Sequence, residues 1–285
     1  MYCTICGSPE EYIFTAKILG KYDAPFVRCN ACGFLHCQNP FWLEEAYSNA
    51  IADTDVGLVA RNMLLKERLP GILYFLFDPK GRYLDYAGGY GMFCRLMRDI
   101  GFDFYWMDKH CQNLLAKGCE LPTLPDSITA VTAFEVLEHV PDPADFVQKI
   151  FFEYAPRALI FTTTLYQDSP PTQDWWYYSF ETGQHISFYT LETLKALAHR
   201  HELFLYSWGD MHILSREPLS GWKLCLFRRP FFTEFATRFA KKRMRSRLQN
   251  DYLRMKARLI DSQSTCLNSG TGPNSEQSQR YDGHA

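Results

Sequence analysis

Three things are missing from this 285-residue chain. No window approaches the ~18 unbroken apolar residues that a membrane-spanning helix requires, so no membrane span is expected. The amino terminus, Met1-Tyr2-Cys3-Thr4-Ile5-Cys6, has neither a basic start nor an apolar stretch, so no secretory signal is expected either. Net charge is nearly absent too: 30 Lys+Arg against 32 Asp+Glu leave −2, which taken alone argues against a dedicated nucleic-acid binder. What is present excludes wholesale disorder, because 47 % of the residues are apolar and 16 % aromatic, ample material for a core. The expectation is a soluble, cytoplasmic protein of one large domain or two modest ones.

The neutral total is a cancellation. Residues 1–215 carry 16 basic and 26 acidic side chains, residues 216–258 carry 13 and 3, and the last 27 residues carry 1 and 3. An acidic body is therefore followed by a strongly basic block, which removes the argument against an anionic partner.

The chain divides into five stretches on composition. Residues 1–40 hold two cysteine pairs and strand-like runs such as Phe26-Val27-Arg28; residues 41–79 read as helical. Across 80–215, short apolar strands alternate with helical patterns, the signature of a mainly parallel sheet. The strands expected are Arg82–Ala87, Phe102–Met107, Ile128–Phe134, Ala158–Thr164 and Leu203–Trp208; the helices are Phe93–Ile100, Ala144–Phe152 and Leu191–Arg200. Residues 216–260 form the basic block. Residues 261–285 are rich in Ser, Gly, Asn and Gln and are expected to be disordered.

Four of the ten cysteines lie in two pairs, Cys3-x-x-Cys6 and Cys29-x-x-Cys32, each followed directly by a glycine (Gly7, Gly33). Such a knuckle points two thiolates at one centre while the glycine takes the tight turn. Two knuckles close a tetrahedral shell around Zn²⁺ with no open position, so a structural zinc site on Cys3, Cys6, Cys29 and Cys32 is expected. It would staple a module too short to fold on a core alone. Cys37 reads as a bystander.

The central feature is Asp85-Tyr86-Ala87-Gly88-Gly89-Tyr90-Gly91-Met92, a strand end that passes through three glycines into an amphipathic helix. Glycines let the backbone approach a ligand, and the helix start supplies free amides. Asp108 closes the next strand, 23 residues beyond Asp85, and is placed to accept the hydroxyls of a ribose. A dinucleotide fingerprint would need Gly or Ala where Cys94 stands, and no Lys-[Ser/Thr] follows the glycines, so a P-loop is excluded. The Asp85 carboxylate would repel a pyrophosphate and suits an ammonium group. An amino-acid-bearing nucleoside fits best.

Asp85-x-Ala87-Gly88-Gly89-x-Gly91, Asp108 and Phe134-Glu135-Val136-Leu137-Glu138-His139-Val140-x-Asp142-Pro143 together resemble class I S-adenosylmethionine-dependent methyltransferases. Gly183-Gln184-His185-Ile186-Ser187-Phe188-Tyr189-Thr190 is similar to the segment after the fifth strand in those that carry an N-terminal zinc module and modify sugars or glycan intermediates. The similarity spans roughly residues 1–215. It implies a Rossmann-like, doubly wound α/β domain with a small zinc ribbon before it; the basic block after it reads, on its own spacing, as a helix. It also implies that Gly88, Gly89 and Gly91 wrap the methionine moiety, that Asp85 lies near its ammonium, that Asp108 holds the ribose, and that Ala87 and Glu135 complete the cofactor site. Two positions depart from the commonest pattern: Ala87 replaces the first glycine, and Ile128-Thr129 replaces the Phe-Asp that often opens the fourth strand.

Glu135, Glu138 and His139 follow the fourth strand at i, i+3, i+4 spacing, which on a helix would face them one way. His139 is a candidate general base oriented by Glu138 or Glu135. Alternatively the three hold a divalent cation, as similar runs do in some quinone-ring O-methyltransferases, or Glu138-His139 merely orients the loop. His185 is the second candidate base, with Tyr189 nearby, behind the aromatic run Trp175-Trp176-Tyr177-Tyr178 that either walls an acceptor pocket or packs on the core. Phe231, Phe235, Phe239, Met244, Leu248, Tyr252, Met255 and Leu259 repeat at helical spacing among Lys241, Lys242, Arg243, Arg245 and Arg247. This basic amphipathic helix suggests docking on the domain, or a membrane surface or other anionic partner, with nucleic acid less favoured.

The expectation is methyl transfer from S-adenosylmethionine to a small-molecule or glycan acceptor. The rivals are an RNA methyltransferase that uses the zinc module and basic helix, and a non-catalytic zinc-containing assembly protein.

Overall fold

A computed structural model describes residues 1–48, 51–52, 54–121, 127–167 and 169–268. The chain forms two compact units, residues 1–246 and 247–285.

In the first unit, β1 (Glu10–Ile18) and β2 (Tyr22–Cys29) make a long antiparallel hairpin, and β3 (Leu35–Cys37) pairs antiparallel with β2. The helical stretch that follows is shorter than expected. It comprises one turn, α1 (Leu43–Ala46), and a long helix, α2 (Leu58–Leu76). Then come β4 (Arg82–Tyr86), α3 (Met92–Ile100), β5 (Asp103–Met107), β6 (Ala130–Phe134), α4 (Pro143–Glu153), β7 (Ala158–Thr162), β8 (Ser187–Phe188), α5 (Leu191–Arg200), β9 (Phe204–Trp208), β10 (Met211–Ser215), α6 (Gly221–Phe227) and α7 (Pro230–Arg243).

The main sheet has the order β5-β4-β6-β7-β10-β9. The first four strands are parallel; β10 is antiparallel to both neighbours. All five expected strands are present, and β10 is additional. Its residues follow β9 after only Gly209-Asp210, with Gly209 in the left-handed region (φ 61°), so β9 and β10 form a hairpin. Strand periodicity divides the two faces. Tyr83, Ile160 and Ile213 point to a core formed with α2 and α3, including Leu69, Leu73, Phe93 and Met97. Leu84, Leu159 and Leu214 point to a second core with Val147, Ile150, Leu194 and Leu197. This is the doubly wound α/β arrangement expected.

The amino-terminal sheet takes its fourth strand from the body, because β8 pairs antiparallel with β3. Ile5 and Phe34 enter the second core, and the hydroxyls of Thr190 and Thr193 both donate to the Cys32 carbonyl (3.0 and 2.7 Å). Thr190 and Thr193 also form a reciprocal cap on α5, so one cluster ends the sheet, starts the helix and grips a cysteine knuckle.

The basic block departs from a single amphipathic helix. α7 ends at Arg243, Met244 is extended (ψ 153°), and helix α8 (Leu248–Asn268) begins anew in the second unit. Spacing alone could not reveal the break. At Gly101, which has φ 130°, an added Cβ would lie 2.5 Å from the Arg245 carbonyl, so the chain at Arg245 runs flat against that turn. The apolar face differs as well. Ala236, Thr237 and Ala240 are the buried positions of α7, Gly71 of α2 lying against Ala236, whereas Phe231 and Phe235 are exposed. Residues 261–268 are helical rather than disordered; the rest of that tail lies outside the described residues. Among the described residues no helix is long and apolar enough to cross a membrane.

Candidate active site

A cavity of about 1290 Å³ opens at the carboxyl ends of β4, β5, β6 and β7, where a doubly wound sheet binds its ligands. It exceeds the ~300–1,000 Å³ of a usual single-ligand pocket and has room for a nucleoside and an acceptor together.

One end is built by the turn after β4. Asp85 is buried; its Oδ1 accepts from the Thr132 hydroxyl at 3.1 Å, and its Oδ2 has no hydrogen-bond partner. Burial, with a smaller contribution from Asp108, pushes the Asp85 carboxyl up to about 7. Gly88 and Gly91 are required by space: an added Cβ would lie 2.6 Å from Asp85 Oδ2 at the first and 2.9 Å from both Asn113 Oδ1 and Ala116 Cβ at the second. Gly91 also has φ 85° and precedes α3 as its cap. Ala87 replaces the usual glycine while keeping a left-handed φ of 54°. The strain of that conformation, about 1–2 kcal/mol, is stored in the turn after β4.

Asp108 fixes the loops on either side. Oδ2 accepts from the Gly89 amide at 2.9 Å, and Oδ1 accepts from the amides of His110 and Cys111, both at 2.7 Å. A carboxylate has about four lone-pair positions, so about one remains, on Oδ2.

The other end is built after β6. Glu135 has φ 53°, and Thr162 at the end of β7 clamps it, its hydroxyl accepting from the Glu135 amide (3.0 Å) and donating to Oε1 (2.7 Å). Glu138 is fully buried and neither carboxylate oxygen has a hydrogen-bond partner. Burial, then the Glu135 carboxylate, raise its pKa to about 8, opposed in part by the nearby Tyr177 hydroxyl. His139 donates from Nδ1 to the Gln184 carbonyl (3.0 Å), and His185 from Nδ1 to the Tyr177 carbonyl (2.6 Å). A carbonyl only accepts, so each ring carries its proton on Nδ1 and keeps a lone pair on Nε2. Burial lowers the pKa of both histidines, that of His139 to about 3 with His185 adding to the effect. So weak a base is a poor proton acceptor at neutral pH, which leaves His185 the better candidate of the two. The imidazoles meet edge to face with centroids 4.8 Å apart, although 46 positions separate them in the chain.

Four hydrogen bonds hold these two segments together. Besides the His139–Gln184 bond, Ile186 N donates to the Glu138 carbonyl (2.8 Å), Ser187 Oγ to Val140 (2.6 Å) and Tyr189 Oη to Leu137 (2.6 Å). Tyr189 is therefore spent on the scaffold. The aromatic run divides between its two expected roles. Tyr177 and Tyr178 are buried with Phe14, Phe26 and Phe188, whereas Trp176 is 74 % exposed on the cavity rim.

Thr132, Thr162 and Arg61 escape sequence reasoning. The Thr162-Thr163-Thr164 run at a strand's carboxyl end is a signal for the second. Arg61 lines the cavity in a 2.7 Å pair with Asp55, and nothing in its helical surroundings marks it.

The knuckles close as expected. Cys3 and Cys32 Sγ are 3.8 Å apart, Cys6 and Cys29 Sγ 3.3 Å, and all four lie within 4.8 Å of one another. Gly7 and Gly33 adopt matching φ of 74° and 73°. Four convergent thiols are a donor set that fits Zn²⁺. Cys37 packs elsewhere, in the core of the amino-terminal sheet.

A family model described as methyltransferase domain matches residues 61–207, just over half of the chain. The chain belongs to this family. Its sheet is the Rossmann-like sheet of class I S-adenosylmethionine-dependent methyltransferases, as the glycine turn and strand order indicate. Similar solved structures include an O-methyltransferase family 2 protein from Planctomyces limnophilus in complex with apigenin (15 % identity, 61 % of this chain and 65 % of that one, TM-score 0.44). Others are the mitomycin 7-O-methyltransferase MmcR (17 %, 61 % and 59 %, TM-score 0.40) and magnesium protoporphyrin IX methyltransferase from Synechocystis PCC 6803 with bound SAM (13 %, 61 % and 91 %, TM-score 0.39). The chain spans less than two thirds of the first two. No curated protein matches it.

Proposed function

We propose that the protein transfers a methyl group from S-adenosylmethionine to a hydroxyl of a small-molecule acceptor. The observation that carries this reading is the buried, unpartnered Asp85 Oδ2 beside the Gly88–Gly91 turn, a vacant acceptor suited to an ammonium group. S-adenosylmethionine supplies a methyl group on a positively charged sulfur. Asp85 takes the ammonium, the turn, open at Gly89, lets the methionine portion lie against backbone, and the remaining lone pair of Asp108 Oδ2 takes one ribose hydroxyl. Glu135, held by Thr162, lines the cavity towards the acceptor. The Nε2 lone pair of His185 is the group that acts on the acceptor hydroxyl, with His139 and Glu138 beside it. Positioning of the acceptor against the methyl carbon supplies most of the acceleration.

Calorimetric titration with S-adenosylmethionine tests the reading directly. Binding in the micromolar range is expected, and absence of heat would overturn it. H185A is expected to retain cofactor affinity while turnover falls ~10²-fold or more, the usual scale of a lost acid–base group. A sugar or glycan is the acceptor we favour, because the exposed Trp176 ring at the rim offers a face on which sugar carbons stack. Labelled methyl transfer into a sugar-nucleotide panel measures this.

The four cysteines are proposed to hold one structural Zn²⁺, which would tie both knuckles to the Thr190–Thr193 cluster. One zinc per chain, lost in C29S, is the expected elemental analysis. The α6–α7 surface is proposed to contact an anionic membrane surface from the cytoplasm. Trp222, Phe231 and Phe235 are exposed there among Arg228, Arg229, Arg238 and Lys242. Vesicle pelleting that is indifferent to lipid charge would remove that proposal.

A further inference from the structure

At the wall of the cavity, where His139 and His185 line it, one cluster is over-supplied with lone pairs. Glu138 contributes two carboxylate oxygens, fully buried and without a hydrogen-bond partner. His139 and His185 each spend Nδ1–H on a backbone carbonyl, at 3.0 and 2.6 Å, which fixes both rings and leaves both Nε2 lone pairs unused. One donor atom from each of the three residues lies within 4.8 Å of the others. Three points no further apart than that share a centre no more than about 2.8 Å from each, and small side-chain rotations bring it to the ~2.0–2.2 Å of a metal–ligand bond.

A buried polar group without a hydrogen-bond partner is costly, and here a carboxylate oxygen of that kind lies close to a nitrogen of each imidazole. Hydrogen bonding from ring Nδ1 to a carbonyl is how metal-ligating histidines are held in tautomer and orientation. We infer that Glu138, His139 and His185 form a binding site for one divalent transition-metal cation. Two imidazoles and one carboxylate suit Mn²⁺, Fe²⁺, Co²⁺ or Zn²⁺, and such a ligand set leaves open coordination positions. Glu135, on the cavity side, adds negative charge, and the nearby Arg61 is held by Asp55. The set differs from the Glu135–Glu138–His139 grouping that spacing suggests, because the Thr162 hydroxyl takes Glu135 Oε1 while the hydrogen-bonded segments bring in His185.

The site deepens the methyl-transfer reading and, for its chemical role, rests on it. His139 and His185 line the cavity, so open positions of the cation would be reached from it, and the acceptor class is one that presents two adjacent oxygens, such as a vicinal diol. Bound to the cation, an acceptor hydroxyl gives its proton to water. Its oxygen then forms the new bond to the methyl carbon, while the S–CH₃ bond breaks with its electron pair remaining on sulfur.

The test uses the full-length, zinc-replete chain titrated with Co²⁺ and followed by visible absorption. One Co²⁺ per chain is expected, with weak d–d bands and none of the strong thiolate charge transfer a cysteine site would add. Affinity is expected to fall at least about tenfold in H139N, in H185N and in E138Q, each with unchanged zinc content. No uptake by the wild-type chain, or uptake unchanged in the double variant H139N/H185N, overturns the site. In the wild-type chain, proton NMR provides a second measurement independent of variant folding. Hyperfine shifts on the resonances of two histidines support the site, and their absence overturns it. Titration with S-adenosylmethionine on the same preparation separates the two claims. Cofactor binding without Co²⁺ uptake removes the cation site alone, and Co²⁺ uptake without cofactor binding removes the methyl-transfer reading alone.

Discussion

At the scale of single residues, the cofactor turn shows how unequal its glycines are. Gly91 combines φ 85° with neighbours at 2.9–3.0 Å that include the Ala116 backbone, whereas Gly89 has φ 54° and nothing within 4 Å of an added Cβ. G91A is therefore expected to destabilise the fold by about 2–4 kcal/mol, the sum of left-handed strain and overpacking, and G89A by about 1 kcal/mol. Thermal melts of the two variants measure the contrast. The motif alone treats these positions as equivalent; the packing of residues 113–116 against the turn, invisible in a linear pattern, separates them. Asp85 carries a pH dependence. Its carboxyl, raised to about 7 by burial, is largely protonated in the free protein below that value, while an ammonium ligand requires the charged form. Binding S-adenosylmethionine must then release a proton, and affinity is expected to weaken by up to about tenfold per pH unit as pH falls below 7. The sign for folding is opposite to that of a salt-bridged acid. The buried carboxyl destabilises the free protein progressively as pH rises from ~4 to 7, so D85N is expected to raise the melting temperature at neutral pH while it weakens the cofactor. Calorimetry across pH 5.5–8 in both proteins, in parallel with melts, checks both directions.

At the scale of elements, what was legible followed periodicity. The five strands and three helices from β4 to β9 stand within a few residues of their expected limits, because short apolar runs and the Asp142 and Thr190 caps are local signals. β10 was not legible, since only Gly209-Asp210 separates it from β9 and His212 and Ser215 break its apolar run. β8 was lost for a different reason. Two residues make no pattern, and they become a strand only because β3 lies alongside. The site shows the same division. His139 and His185 were each readable from their motifs, but their meeting depends on the bonds between residues 136–140 and 184–189. Removing a bond from that seam tests its role. S187A and Y189F are each expected to cost about 0.5–1.5 kcal/mol, the net worth of one hydrogen bond, the Leu137 carbonyl still accepting from the Val140 amide in Y189F. Turnover should fall with them while S-adenosylmethionine affinity stays close to wild type, since the cofactor turn lies on β4 rather than on the seam. A fall in both together would place the seam's influence on the whole cavity.

At the scale of the whole molecule, the amino-terminal sheet and the main sheet are two frames that share the segment from Gln184 to Thr193. Composition had separated residues 1–40 from 80–215, and the cysteine motifs marked the first frame clearly. Their joining was not legible, because it rests on backbone pairing and on two threonine hydroxyls at one carbonyl. The position of β10 has a practical corollary. The stretch that matches the family ends at residue 207, yet the strand beside β7 is residues 211–215, and β9 reaches the sheet only through it. A chain cut to 61–207 would keep every recognisable motif from the glycine turn onward and lose an inner stave of the sheet. The fully buried β7 would become an open edge of apolar residues, the kind of surface that templates pairing with another copy. Such a fragment is expected to sediment as aggregate, and one extended through residue 246, from residue 1, to remain dispersed; analytical ultracentrifugation distinguishes them. During synthesis the same edge stays uncovered until the hairpin emerges, so the last part of the sheet to be made is the part that shields its middle.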